Sequence, residues 1–296
     1  MFDFRLKFIK TLKTIGGKTR LLKKLIPIMY YVIKSEQIQG VLDLFGGGNK
    51  FIPQLDRFTI PIRIYNERDE GISNLMACMT DENKARAVID LAYRLQDEYR
   101  IEAAFHKARE IRRLKETPPI KSAALTLIVA EFSRAADRVK YYKPNAERGF
   151  KYESHLPFLE LVPIMRDVII TCASYEELFE YYSHRCDFLT ILDPPYVGSD
   201  CYEDEFPDEK HEEMVRRIVD TKMKVILCGT DTTIYDYLTE RGWHKYCLGE
   251  IPRSNVGEAD AVQEEFIWTN FEIPSFLLSR LDIHPVYPDK LVKIMV

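Results

Sequence analysis

Short apolar runs alternate with helix-period stretches along most of this chain. Val41-Leu42-Asp43-Leu44-Phe45, Ile60 to Tyr65, Val168 to Cys172, Phe188 to Leu192 and Lys224 to Cys228 have strand length and predict buried strands. Leu21, Leu22, Leu25 and Ile26 share one helical face, and Pro27 is placed to kink or reset that helix before Ile28 to Ile33. Tyr175 to Ser183, Asp208 to Asp220 and Ile234 to Arg241 read as helices, the last ended by Gly242. Trp243 to Glu250 and Glu265 to Phe271 read as a closing pair of strands, joined by the polar loop Pro252 to Gln263. Strands alternating with helices predict an α/β fold. The stretch beyond Ile273 has two late prolines and is assigned no role.

The middle of the chain breaks the alternation. From Asp81 to about Arg138 the period is helical: Val88, Ile89, Ala92, Leu95 and Tyr99 form one stripe. Ile101, Phe105, Ala108, Ile111 and Leu114 form another. Pro118-Pro119 interrupts, and Ala123 to Phe132 resumes. No strand signal lies between Arg68 and Val162, too long a gap for one crossover. The expected organisation is a sheet domain of residues 1–78 and 160–296 with a helical subdomain, 79–159, inserted into it. Arg138 to Lys151 is expected to be a basic loop carrying Tyr141, Tyr142 and Phe150, a composition suited to nucleic acid.

Chemistry concentrates where the predicted strands end. After Phe188 to Leu192 come Asp193-Pro194-Pro195-Tyr196. Two prolines stop sheet hydrogen bonding, so a carboxylate, a stiff turn and an aromatic ring meet at a strand's carboxyl end. Open α/β sheets bind ligands there. A flat base with an exocyclic amine would stack on Tyr196 and give its amino hydrogens to the Asp193 carboxylate and the Pro194 carbonyl. The plainer account is a strand-to-loop turn with a capping Asp.

Val41 to Phe45 runs into Gly46-Gly47-Gly48-Asn49, a strand–glycine turn that opens many nucleotide-binding units. Some twenty residues on, Asn66-Glu67-Arg68-Asp69 ends the next strand. An acid there commonly takes ribose hydroxyls; Glu67 is the first choice and Asp69 the substitute. Asp69 equally fits a helix N-cap before Ile72, Leu75 and Met76. Lys18, after Gly16-Gly17, sits oddly at a helix start unless an anion lies beside it.

Charge changes the picture. The net charge is -4, but residues 1–24 and 100–151 each carry +7. Two basic segments on an acidic body suit a phosphate-tracking face. The acidic loop Gly198 to Pro207 would then face away or move. The six cysteines include no Cys-x-x-Cys pair, so neither a disulfide framework nor a metal site is expected. With no apolar run of membrane length and no signal-peptide pattern, a cytoplasmic location is the default expectation and no membrane partner is expected. Oligomeric state is unknown from these patterns.

Taken in order, these segments resemble the Dam-like, alpha-group DNA adenine-N6 methyltransferases. Gly16-Gly17-Lys18 with Leu21-Leu22 is similar to that family's N-terminal cofactor motif, and Asp43-Leu44-Phe45-Gly46-Gly47-Gly48 to its Phe-x-Gly-x-Gly loop. Asn66-Glu67 is similar to its second-strand acid, and Asp193-Pro194-Pro195-Tyr196 to its catalytic motif. Val225-Ile226-Leu227 with Gly229 and Asp231, and Glu265 to Phe271, also resemble family segments. Asn49 departs from the second loop glycine, and Ser174 from an acid usual beside the cofactor adenine.

The resemblance implies a Rossmann-like S-adenosylmethionine-dependent methyltransferase sheet with an inserted helical target-recognition subdomain. It implies S-adenosyl-L-methionine held by Gly17, Lys18, Asp43, Phe45, Gly46, Gly47, Gly48, Glu67 and Asp193, with no metal. It implies methyl transfer to the N6 amine of a flipped-out adenine by Asp193, Pro194, Pro195 and Tyr196, and it makes double-stranded DNA the expected partner of the two basic segments. An RNA adenine or cytosine-N4 methyltransferase, or a catalytically lapsed DNA-binding module of the same fold, are the alternatives. Asp rather than Ser before Pro-Pro-Tyr leans to adenine in that family.

Overall fold

The structure, a computed structural model, describes residues 21–198, 206–252 and 262–287. Gly17 and Lys18, the segment Leu6 to Thr14 and most of the acidic loop lie outside the described residues, as does most of the polar loop after β6.

One mixed sheet organises the chain. Its strands are β1 (Gly40–Asp43), β2 (Ile62–Asn66), β3 (Ile169–Thr171), β4 (Phe188–Leu192), β5 (Lys224–Gly229), β6 (His244–Pro252), β7 (Val262–Thr269) and β8 (His284–Val286). The spatial order is β3-β2-β1-β4-β5-β7-β6-β8. The first five strands run parallel, and β7, β6 and β8 add antiparallel pairs. The central strands are buried on both faces, as β1 and β4 show at every residue, which is why they read as continuous apolar runs.

Helices cover both faces. On one lie α9 (Tyr175–Tyr182), α10 (Asp208–Ile218) and α11 (Asp236–Thr239), packed on Leu42, Ile64, Leu192, Val225 and Leu227. On the other, Val41, Tyr65, Leu189, Ile191 and Ile226 meet α1 (Leu22–Ser35) and α12 (Ser275–Leu281). The same apolar core continues into the helices between β2 and β3: α2 (Glu70–Cys78), α3 (Glu82–Leu95), α4 (Glu102–Ile111) and α5 (Pro119–Phe132), then α6 (Lys143–Arg148), α7 (Tyr152–His155) and α8 (Val162–Met165). Helix α5 is apolar on nearly every side, so it can only be central. It packs against α2, α3 and α4.

Five local expectations differ from the structure. Pro27 does not reset the first helix: α1 runs through it. One missing backbone bond costs about 3 kcal/mol, whereas Leu25, Ile26, Ile28, Met29 and Val32 are essentially fully buried, at about 1.5–3 kcal/mol each. Pro118-Pro119 does interrupt the helical run, between α4 and α5, but the helix resumes at Pro119 and not at Ala123, because proline suits a first helical turn. Ile101 and Leu114 are exposed, since α4 covers only Glu102–Ile111 and both flank it. The expected loop after Arg138 contains α6, closed by Gly149 at φ +72°. Beyond Ile273 the chain still builds structure: α12 ends at left-handed Asp282, and β8 pairs with β6.

Candidate active site

The strand order reverses between β1 and β4. From β1 the chain steps outward to β2 and β3; it returns to β4 on the other side of β1. The crevice at the carboxyl ends of these two strands is therefore the topological switch point. Register places Asp43 opposite Tyr65 on β2 and Ile191 on β4. Glu67 and Asp193 each lie two residues further along their own strand direction. Side chains two apart share a face, so three carboxylates converge on one mouth.

The glycine turn above β1 is tied to β2. Gly46 N–H donates to the Asn66 carbonyl at 2.8 Å, and Asn49 N–H donates to the Gly46 carbonyl at 2.7 Å. Gly47 N–H donates to Glu67 Oε2 at 2.8 Å. The Tyr65 hydroxyl donates to the Gly47 carbonyl at 2.8 Å, and its ring lies so close that a Cβ on Gly46 would sit 2.2 Å from it. Asn66, the last residue of β2, ties it to the end of β1, to β3 and to the start of α9: its amide donates to the Leu44 and Ala173 carbonyls and accepts from Thr171 Oγ1 and Ala173 N–H. Asn49 takes φ +57°, a conformation Asn tolerates better than most residues. Its side chain is buried, with Nδ2 on the Met76 and Met165 sulfurs. It thus points into the core and not over the turn.

The acids differ sharply in environment. Asp43 is fully buried, and neither oxygen has a hydrogen-bond partner among the described residues. Burial raises its pKa well above the usual range, and Asp193 and Glu67 add to that; the nearby Phe45 amide works the other way. Glu67 is half-buried, and its second oxygen accepts from Asp69 N–H at 2.9 Å. Burial, then Asp69, raise its pKa, against the Asp69 and Gly47 amides and the Arg138 charge. Each carboxylate oxygen can accept a second hydrogen bond, so Glu67 retains capacity for a ligand.

Asp69 is a structural acid. It caps α2 by accepting from Ile72 N–H at 2.9 Å, and it pairs bidentately with fully buried Arg112 at 2.5 and 2.8 Å. Burial alone would raise its pKa, but Arg112 overrides this and holds it at about 2. The N-cap account of Asp69 is therefore correct, and Asp69 has no room to substitute for Glu67.

On the other side of the mouth, Asp193 and Tyr196 are half-buried. The Tyr196 hydroxyl donates to buried Glu265 on β7 at 2.7 Å. Beneath the turn, His211 of α10 is fully buried with Nδ1 2.7 Å from the Tyr235 hydroxyl. Burial pushes its pKa down to about 4, against Asp208 and the Pro195 backbone, so it is neutral at pH 7. Phe45 stacks on Tyr175 at 5.2 Å between ring centroids, and Phe206 meets both rings edge-on. These three rings wall the glycine turn on the α9–α10 side.

Of the sequence-derived residues, Asp43, Phe45, Gly46, Gly47, Gly48, Glu67, Asp193, Pro194, Pro195 and Tyr196 gather at this mouth, whereas Gly17 and Lys18 are not described. Ser174 is the N-cap of α9 in a reciprocal pair with Glu177, which accounts for a hydroxyl there. Sequence reasoning assigned no role to Tyr65, Arg112, His211 or Glu265. His211 shares a helical spacing with buried Met214, Val215 and Ile218, an oddity visible in the sequence; Glu265 follows Gln263 and Glu264 at the polar end of β7, directly before Phe266-Ile267-Trp268, so nothing in the pattern set it apart. Nothing marks Arg112 apart from its neighbour Arg113.

The basic segment 100–151 also looks different in three dimensions. Arg112 is spent on Asp69. Phe150 is buried and stacks on His155 at 3.9 Å, and the Tyr141 hydroxyl is bound to the Arg100 carbonyl. Tyr142 alone of the three aromatics is exposed. Lys107, Lys115, Lys121, Lys140, Lys143 and Lys151 remain exposed. Among the described residues, no group of three or more His, Cys, Asp or Glu side chains is arranged to hold a metal, and no helix is long and apolar enough to cross a membrane. No protein-family model matches this sequence, and no curated protein matches it.

Proposed function

We propose that this site transfers a methyl group from S-adenosyl-L-methionine to the N6 amine of an adenine flipped out of double-stranded DNA. The observation that carries the reading is Asp43. It is a fully buried carboxylate without a hydrogen-bond partner among the described residues, set between the glycine turn and Asp193. A buried carboxylate takes up either a proton or a cation. A cofactor carrying an ammonium and a sulfonium answers that need. A dinucleotide does not, because it would bring phosphates against three acids.

The rest of the chain's part follows from placement. Gly47, with no Cβ and φ +47°, leaves the space above the turn open. Glu67 is fixed by two backbone amides and keeps acceptor sites for ribose hydroxyls. The cofactor, when bound, supplies an electrophilic methyl group. Tyr196 offers a ring held at its hydroxyl, on which a purine stacks. Asp193 and the Pro194 carbonyl accept the two amino hydrogens, which turns the nitrogen lone pair outward. In this reading Asp193 also takes the proton the amine gives up. Catalysis of this kind is chiefly positioning, and extrusion of the base repays its unstacking cost through that ring and those acceptors. The exposed lysines of the α4–α7 stretch are the phosphate contacts.

Calorimetry with S-adenosyl-L-methionine tests the cofactor half of this reading. Binding is expected for the wild type and at least about tenfold weaker binding for Asp43→Asn, the loss of one ion pair in a buried site. A wild type that gives no binding isotherm refutes the reading.

A further inference from the structure

Tyr196 leans away from its own turn toward β7. Its hydroxyl donates to Glu265 Oε1 at 2.7 Å, and Gln263 Nε2 donates to the same oxygen at 3.0 Å. Glu265 is fully buried, directly before the apolar run Phe266-Ile267-Trp268. Phe266 lies opposite Gly229, the last residue of β5, so Glu265 sits just past the carboxyl edge of the parallel strands, level with the mouth. A buried acid in such a strand is unfavourable by itself, and an apolar side chain of similar volume packs at least as well. A carboxylate there is held by specific partners, Gln263 and Tyr196 among them.

Tyr196 meets this carboxylate with the tip of a ring whose other end is already constrained. The Pro194-Pro195 turn limits the Tyr196 backbone, and Glu265 fixes the phenol oxygen. A ring tied at both ends presents one plane to an incoming base, and the ordering cost is met before the base arrives. We infer that Glu265 is a positioning residue that clamps Tyr196 as the stacking platform for the target base, a role that rests on the methyl-transfer reading above.

Two readouts separate the clamp from that reading. With 3-fluorotyrosine incorporated, the Tyr196 resonance is the one missing from Tyr196→Phe. Glu265→Leu is expected to shift and broaden it, and Glu265→Gln, which keeps an acceptor, to leave it near its wild-type position. In methylation of unmethylated genomic DNA, Glu265→Leu is expected to lower kcat about tenfold to a hundredfold, the range for losing a hydrogen bond to a charged group. Cofactor Kd is expected to stay unchanged, Glu265→Gln to recover most of the rate, and Glu265→Leu to cost nothing further in a Tyr196→Phe background. If the leucine variant does not fold, Tyr196→Phe removes the same bond and Glu265→Gln keeps it, and a low rate in the first beside a near-wild-type rate in the second carries the test. A fluorine signal that Glu265→Leu leaves in place, or additive losses in the double variant, overturns the clamp. A wild type that transfers no methyl group overturns the reading of the site and the positioning role with it.

Discussion

Asp69→Asn is the perturbation whose size the structure defines best. The Asp69 carboxylate receives both Arg112 Nη atoms, at 2.5 and 2.8 Å, in a pair whose side chains are 6% and 0% exposed. Holding a carboxyl from an ordinary 3.8 down to about 2 corresponds to about 2.5 kcal/mol of folding free energy at neutral pH. Asparagine keeps an acceptor for the Ile72 amide, so the helix cap survives. It leaves Arg112 buried without a full counter-charge, and breaking such a pair costs about 3–5 kcal/mol. Urea denaturation at pH 7 should therefore place Asp69→Asn about 3 kcal/mol or more below the wild type.

The pH dependence supplies a second check. The folded-state pKa is depressed, so the contribution is fully present above about pH 4 and is lost as pH falls toward about 2. The gap between wild type and variant should shrink across that window. A variant within about 0.5 kcal/mol of wild type at pH 7, the range of ordinary surface changes, with an unchanged acid limb, would refute the reasoning.

Other outcomes follow from the same geometry. Asp43 has a raised pKa, so its burial increasingly destabilises the ligand-free protein as pH rises from the ordinary carboxylate range toward that raised value. Asp43→Asn should thus raise the melting temperature without cofactor, by more at pH 8 than at pH 5, and a gain that shrinks with pH contradicts this. Gly46→Ala drives a methyl group into the Tyr65 ring and should cost about 1–3 kcal/mol in urea unfolding; a neutral change means the ring moves aside freely. If the exposed lysines of residues 100–151 contact some 6–10 phosphates, DNA affinity should fall about 10³–10⁵-fold between 50 and 200 mM salt. A flat response in a gel-shift titration removes that surface as the docking face.

The parts of the fold visible in the sequence were those with one dominant local signal. Phe188–Leu192 is apolar throughout and stopped by two prolines, so both the strand and the position of Asp193 were readable. The glycine turn and Glu67 were readable for a similar reason: a strand must end where its glycines begin. Helix α12 and strand β8 were missed because each is short and gains its stability from neighbours. Leu277 packs into the core under α1, and β8 exists only through pairing with β6. Arg112 was invisible because burial of one arginine among several depends on Asp69, 43 residues away. Phe150 and Tyr141 misled for the opposite reason. Basic and aromatic residues interleave there, but the helices α3 to α7 fold the aromatic ones inward. Tyr196 was expected to be available to a base; it is half-buried with its hydroxyl anchored, which a sequence of four residues does not reveal.

The central claim is that Asp193 and its turn act on an amine while the β1 turn holds the methyl donor. Incubation with methyl-labelled S-adenosyl-L-methionine and unmethylated double-stranded DNA, followed by nucleoside analysis, tests it directly. The account requires label in N6-methyladenine with the wild type and its loss with Asp193→Ala at unchanged cofactor binding. Label in N4-methylcytosine, label on RNA alone, or undiminished transfer by Asp193→Ala would contradict it.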